Sequence, residues 1–178
     1  MKKIDQGGST SEKKIPTQPT KSRKKLVRPK RRHSYRDIKK LVHFFKSEGI
    51  SSSDITTEDI LRLSHYGVPA KLIQDMIGTR PSTINDIAYI LGVNVRTVRT
   101  YQKKAVDLSP QQSEQLLKYN RLLSRGKEVF GTDGAFDRWL RKPAYGLDNE
   151  VPLNYLITSE GINLVSDEIE RIANGEFA

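Results

Sequence analysis

The segment STINDIAYILGVNVRTVRTYQKK, Ser82 to Lys104, constrains the fold more than any other part of the chain. Thr83 and Asp86 stand at the spacing of a capping box, in which two side chains satisfy backbone N–H groups that a helix start leaves bare. Ile84, Ile87, Ala88 and Leu91 recur at helical spacing and predict one buried face. Ala88 is small enough to let a second helix approach closely. Gly92 predicts a left-handed residue that stops the first helix, a conformation only glycine reaches without steric cost. Val93 plugs the turn and Asn94 is a natural N-cap for the next helix. That helix turns Val95, Val98 and Tyr101 inward, leaving Arg96, Thr97, Arg99, Thr100 and Lys103 outward. The pattern reads as a helix-turn-helix over residues 82–104, whose second helix fits a DNA major groove. The plainer alternative is a helical hairpin with a solvated basic face. On the first reading the DNA-facing candidates are Asn94, Arg96, Thr97, Arg99, Thr100 and Lys103.

Charge is distributed unevenly. The formal net charge is +10, yet residues 1–36 hold thirteen Lys and Arg against Asp5 and Glu12, so everything beyond them sums to −1. This opening stretch also carries Gly7-Gly8, Pro16, Pro19 and Pro29, few apolar residues and no periodicity. Such composition predicts a disordered basic tail over 1–34. Its runs KSRKK (Lys21 to Lys25) and RPKRR (Arg28 to Arg32) suit phosphates, which attract cations without reading sequence; a targeting signal is the alternative. Double-stranded DNA is therefore the expected nucleic-acid partner.

Other classes find little support. With no cysteine, the chain uses no disulfide or thiolate metal site, which fits a reducing compartment. His33, His43 and His65 lack ligand spacing, so no metal is expected. The apolar run Ile87 to Val93 is too short to span a bilayer, and no apolar stretch follows Met1-Lys2-Lys3 as in a signal peptide. A cytoplasmic protein with no membrane partner is expected. No Cys/His pair or phosphate-cradling glycine loop is present, so neither an enzyme nor a cofactor is expected.

Past the tail, helical patterns predominate. Tyr35 to Lys46 is amphipathic, Thr57 to Ser64 forms a helix ended near Gly67, and Pro69 to Ile77 forms one ended by Gly78. Ser109-Pro110-Gln111-Gln112 opens a long helix that should reach Phe130, bury Leu116, Leu117, Leu122, Leu123 and Val129, and stop at Gly131. Asp133 can cap a short helix carrying Phe136, Trp139 and Leu140 inward, with Trp139 a core residue rather than a ligand platform. Pro152 can open another through Leu153, Leu156 and Ile157. A last helix packs Ile162, Val165, Ile169 and Ile172, with Asp167, Glu168 and Glu170 facing water. The fold class is mainly α: a helical domain with the helix-turn-helix over 35–125 and a small acidic helical domain over 126–178. Residues 37–125 carry +4 and residues 126–178 carry −5.

The order Val129-Phe130-Gly131, Trp139-Leu140, Pro143, Leu147, Pro152-Leu153, Thr158, Gly161, Val165, Ile169, Ile172, Gly175 resembles the C-terminal domain of Xre/MbcA/ParS-type antitoxins. The stretch from Leu61 through the long helix is similar to that family's N-terminal domain. The likeness covers roughly residues 55–178 and leaves out the tail and Tyr35 to Lys46. Where relatives often have glycines before the proline, this chain has Asp148-Asn149-Glu150-Val151. The resemblance implies a partner, a RES-domain toxin that depletes NAD⁺, whose active-site entrance the antitoxin's C-terminal segment covers. It implies a non-enzymatic bacterial protein of a type II toxin–antitoxin system that binds no NAD⁺ itself. The toxin-binding candidates are then Asp167, Glu168, Arg171, Gly175, Glu176, Phe177 and Ala178, with Phe177 a lone aromatic suited to a pocket.

Two functions are thus in view. One is a toxin-neutralising protein that also represses its own operator as a homodimer, pairing through the N-terminal helices or the long helix from Pro110. The other is a stand-alone helix-turn-helix regulator whose C-terminal domain serves dimerisation or effector binding. Under either reading, deleting residues 1–32 is expected to weaken specific and nonspecific DNA binding by similar factors. The salt dependence should flatten as fewer counterions are released, measured by titrations over a range of salt concentrations.

Overall fold

The computed structural model describes residues 55–79, 82–104 and 106–176, all within one compact unit. The expected basic tail, the helix at Tyr35 to Lys46, Phe177 and Ala178 lie outside the described residues. The architecture is helical: α1 (Thr57–Tyr66), α2 (Lys71–Thr79), α3 (Ile84–Ile90), α4 (Val95–Lys103), α5 (Pro110–Phe130), α6 (Asp133–Leu140) and α7 (Ser159–Ala173). Two 3₁₀ segments, Tyr145–Leu147 and Pro152–Ile157, link the last two. Among the described residues the only β features are two isolated bridges.

Capping residues set most of the helix starts. Thr56 with Asp59, Thr83 with Asp86, and Ser109 with Gln112 form complete capping boxes at α1, α3 and α5. Pro110 occupies the first turn of α5, where its missing N–H costs nothing. At α6 the cap is Thr132, not Asp133: the Thr132 hydroxyl accepts the Ala135 N–H at 3.1 Å. Asp133 instead lies in the first helical turn and pairs with Lys127 at 3.3 Å. Helix α2 runs through Gly78 to Thr79. Pro81 follows two residues on, and the residue before a proline resists the α conformation, so the stop falls there rather than at the glycine.

Helix α5 is the axis. Leu117 joins Ile60, Leu63 and Val68 in a small cluster on the α1 side. Leu116, Leu122 and Leu123 join a larger core that takes in Ile73, Ile87 and Val98 from α2 to α4 and Phe136, Leu156, Ile162, Val165 and Ile169 from the C-terminal elements. Val129 and Trp139 pack against that core but are only partly buried, and Ile172 is half-buried. Because elements from both sides of it in the described residues pack on α5, most of it is hidden within one copy, and it offers little surface for pairing with a second.

The polar side chains buried along α5 find partners on the elements around it. Ser113 Oγ accepts the Val68 N–H at 2.8 Å, and Gln115 Nε2 donates to the Ile157 carbonyl at 2.7 Å. Lys118 Nζ donates to Ser159 Oγ at 2.6 Å, which in turn donates to Glu114 Oε1 at 2.6 Å. The Ser159 bond, and a direct one from Lys118 at 3.1 Å, hold the Glu114 carboxyl below its usual range. The Tyr119 hydroxyl bonds Ser82 Oγ at 3.0 Å, and burial pushes its pKa up to about 12 despite that bond. Outside the core, Arg125 grips Glu170 of α7 with two bonds of 2.8 Å.

The segment opened by Pro152 is a 3₁₀ helix because Thr158 must be extended to cap α7, which leaves too little chain for an α-helix. With three residues per turn, Leu153 and Leu156 share the inward side, and Ile157 turns out to 42% exposure instead of packing. The loop at Asp148-Asn149 keeps the left-handed backbone that glycines would take, with φ of 54° and 61°. Asp and Asn are the non-glycine residues that adopt it most readily.

Gly126 lies where any Cβ would overlap the Phe136 ring, so α5 and α6 meet there without a side chain between them. Gly126→Ala is expected to destabilise the fold by about 1–3 kcal/mol through overpacking. Gly78→Ala, in a helix with open space around the added methyl, should stabilise it by about 0.4–1 kcal/mol. Urea unfolding of both variants beside the parent chain measures each sign.

Candidate functional site

Two surfaces stand apart. The first is built on α3 and α4. The Thr83 N–H donates to Asp86 Oδ2 at 2.8 Å and the Asp86 N–H to Thr83 Oγ1 at 3.1 Å, fixing the start of α3. Gly92, at φ 62°, turns the chain, and the Val93 N–H closes the turn onto the Ala88 carbonyl at 2.9 Å. Asn94 Oδ1 caps α4, accepting the Thr97 N–H at 2.8 Å and its hydroxyl at 3.0 Å. Val98 is fully buried, Val95 and Tyr101 pack partly against the core, and Arg96, Arg99, Thr100 and Lys103 are exposed. Among the described residues no ion pair engages Arg96, Arg99 or Lys103, whereas Arg62, Arg125, Arg141 and Arg171 are all paired. Of the six DNA-facing candidates, then, three present free polar groups: Arg96, Arg99 and Lys103. Asn94 and Thr97 are bound to each other, and the Thr100 hydroxyl donates to the Arg96 carbonyl.

The α3 cap is also tied to the C-terminal half. Arg141, just after α6, donates to Asp86 through Nη1 at 3.3 Å and Nη2 at 3.0 Å, and to Asp137 at 2.9 Å. Burial alone would raise the Asp86 pKa, but the bonds from Arg141 and from the Thr83 backbone and hydroxyl outweigh it and hold the carboxyl below its usual range. The Tyr89 hydroxyl adds a second link, donating to the Asn154 carbonyl at 3.2 Å.

The second surface is a cleft of about 420 Å³ between the end of α5, α6, the Tyr145–Leu147 turn and α7. Phe130 and Trp139 pack with ring centres 5.2 Å apart and planes tilted by 37°, and form part of its lining, and Tyr145, 73% exposed, stands at its edge. Its polar groups are Glu168, Arg171 and Glu176. Glu168 does not face water as its place in the helical pattern implied: its side chain is only 10% exposed and paired with Arg171 at 3.0 Å. Its carboxylate lies against Gly146, where a Cβ would overlap it. After α7 the chain reverses through Gly175 at φ 76°, with the Gly175 N–H bound to the Ile172 carbonyl and the Glu176 N–H to that of Arg171. This reversal brings Glu176 to the cleft.

Residues 125–175, which contain nearly all of this cleft, match the family described as the antitoxin Xre/MbcA/ParS C-terminal toxin-binding domain. The domain at 125–175 is therefore of the Xre/MbcA/ParS antitoxin type. It is also similar to Antitoxin Xre of Pseudomonas putida, with 23% identity over 150 residues, covering 80% of this chain and 85% of that one. A toxin-binding domain implies a toxin as partner. No helix among the described residues is long and apolar enough to cross a membrane.

Of the toxin-binding candidates, Arg171, Glu168 and Glu176 come together at the cleft, Asp167 and Gly175 are exposed beyond it, and Phe177 and Ala178 are outside the described residues. Sequence reading missed Tyr145 and Gly146: a tyrosine in a loop carries no periodic signal. It also missed the Asp86–Arg141 bond, which joins positions 55 residues apart.

A carboxyl whose pKa is depressed in the fold adds stability above its unfolded value and loses it as pH falls through the folded one. Arg141→Gln removes the chief partner that depresses Asp86. It should therefore move the midpoint of acid unfolding upward, toward the ordinary carboxylate range, and cost about 1–2 kcal/mol at neutral pH. Circular dichroism followed through an acid titration of both proteins checks it.

Proposed function

We propose that the chain neutralises a RES-domain toxin through its C-terminal half and binds its own operator through α4, repressing the operon as a homodimer in the bacterial cytoplasm. The toxin arm rests on the toxin-binding domain matched at 125–175, together with the resemblance to antitoxins whose C-terminal segment covers a RES active site. The DNA arm rests on the exposed, unpaired Arg96 and Arg99, three residues apart on one face of a helix whose opposite side is anchored by Val98. Arginine is shaped for two bonds to guanine in the major groove. The charge division supports two faces for two partners, since the −5 of residues 126–178 is repelled by phosphate while the α4 side attracts it. Leu61 and Tyr66 on α1, 58% and 44% exposed, are the apolar side chains a second copy would cover.

Deleting α7 would test nothing, because Ile162, Val165 and Ile169 are core residues. Point changes separate the arms. Arg96→Ala and Arg99→Ala are each expected to cost about 1–3 kcal/mol at the operator and to relax base preference, read by gel shift on the upstream DNA. Both variants should still protect cells fully against the RES-domain toxin encoded beside the gene, read as growth and cellular NAD⁺. If the unaltered chain gives no protection, the toxin arm is refuted and the stand-alone regulator reading gains. If removal of Glu176 to Ala178 leaves protection intact, the end of the chain is not what covers the toxin.

A further inference from the structure

We propose that the cleft beside α7 is a socket for an arginine side chain of the toxin, a step that rests on the toxin arm above and names what its surface grips. The floor decides the occupant. Glu168 has a side chain nine-tenths buried; its Oε2 accepts from Arg171 at 3.0 Å, and its Oε1 meets no donor among the described residues. An apolar side chain laid over this carboxylate would strip its remaining water and supply no hydrogen in return, which is costly for a charged group. The same objection applies to the chain's own Phe177. An acidic side chain would meet two carboxylates, Glu168 and Glu176, with the single guanidinium of Arg171 already engaged. A donor that is also a cation satisfies the floor.

The walls select arginine among cations. Phe130, Trp139 and Tyr145 line the cleft, and aromatic surfaces attract cations through their ring electrons. Guanidinium is planar, weakly hydrated and stacks on rings while its N–H fork engages a carboxylate, whereas an ammonium does only the second. Tyr145 has no hydrogen bond among the described residues and is 73% exposed, so it can fold over an incoming group without breaking a bond. Gly146 holds the socket open: a side chain there would displace the Glu168 carboxylate.

Trp139 is the only tryptophan in the chain, so its emission reports on the cleft directly. The full chain is titrated with the capped peptide Gly-Arg-Gly, its citrulline isostere, which keeps the shape but not the charge, and Gly-Phe-Gly. A saturable emission change with the arginine peptide is expected, at least tenfold weaker with citrulline and in the Glu168→Gln chain. In parallel, affinity for the neighbouring RES-domain toxin is measured by calorimetry for the unaltered chain, Glu168→Gln and the surface variant Tyr145→Ala. Each variant, with its unfolding midpoint unchanged, should bind at least tenfold more weakly. Toxin binding that survives in both variants, or a cleft that answers Gly-Phe-Gly or citrulline as well as arginine, overturns the socket while leaving the toxin arm standing. No complex with the unaltered chain refutes the toxin arm itself and the named occupant with it, whatever the peptides do.

Discussion

A helix hidden on several sides must satisfy every polar group it buries, and α5 turns that requirement into the scaffold of the molecule. Apolar packing alone is non-directional and would leave neighbouring helices free to slide. The bonds from Ser113, Gln115, Lys118 and Tyr119 each end on a particular backbone or hydroxyl atom of another segment. Each fixes a register rather than merely adding attraction. The loop before α2, the chain before α3 and the start of α7 are all positioned by reference to one 21-residue rod. Arg121, reaching the Ile55 carbonyl at 3.3 Å, does the same for the lead-in to α1.

What could be seen in the sequence was what depends on near neighbours. The α3–turn–α4 segment follows its pattern position by position, from the Thr83–Asp86 box to the Asn94 cap, because every bond in it spans five residues or fewer. The same holds for the Ser109–Pro110–Gln112 start of α5. The structure departs from the local pattern where a distant contact overrides local preference. Glu168 sits at a position that the helical pattern of α7 assigns to water, but the glycine at 146 leaves room for its carboxylate and Arg171 compensates its charge. An α period would turn Ile157 inward with Leu153, but the Thr158 cap forces the segment into a tighter helix. The cleft itself is assembled from the end of α5, α6, a loop and the end of α7, and no window of sequence contains it.

Electrostatics divides the surface in a way composition alone obscures. Half of the arginines in the described residues, Arg62, Arg125, Arg141 and Arg171, are held by carboxylates, and two of them tie elements together: Arg125 joins α5 to α7, and Arg141 joins α6 to the cap of α3. The arginines of α4 are not among them. An unpaired guanidinium on a rigid, capped helix keeps its full charge and donor fork for an outside partner and loses little conformational freedom on engaging one.

The Asp86–Arg141 bond and the continuous core make the two ends of the described residues one cooperative body, and this has a thermodynamic consequence that needs no motion. Any ligand that binds only the folded form raises the free energy of unfolding by RT ln(1 + [L]/Kd), wherever it sits. A partner seated near α7 therefore props up the α3–α4 pair, lowering the fraction of time it spends melted and open to proteolysis. The lifetime of one surface becomes a record of the occupancy of the other, carried by mass action through a shared fold rather than by a moving part.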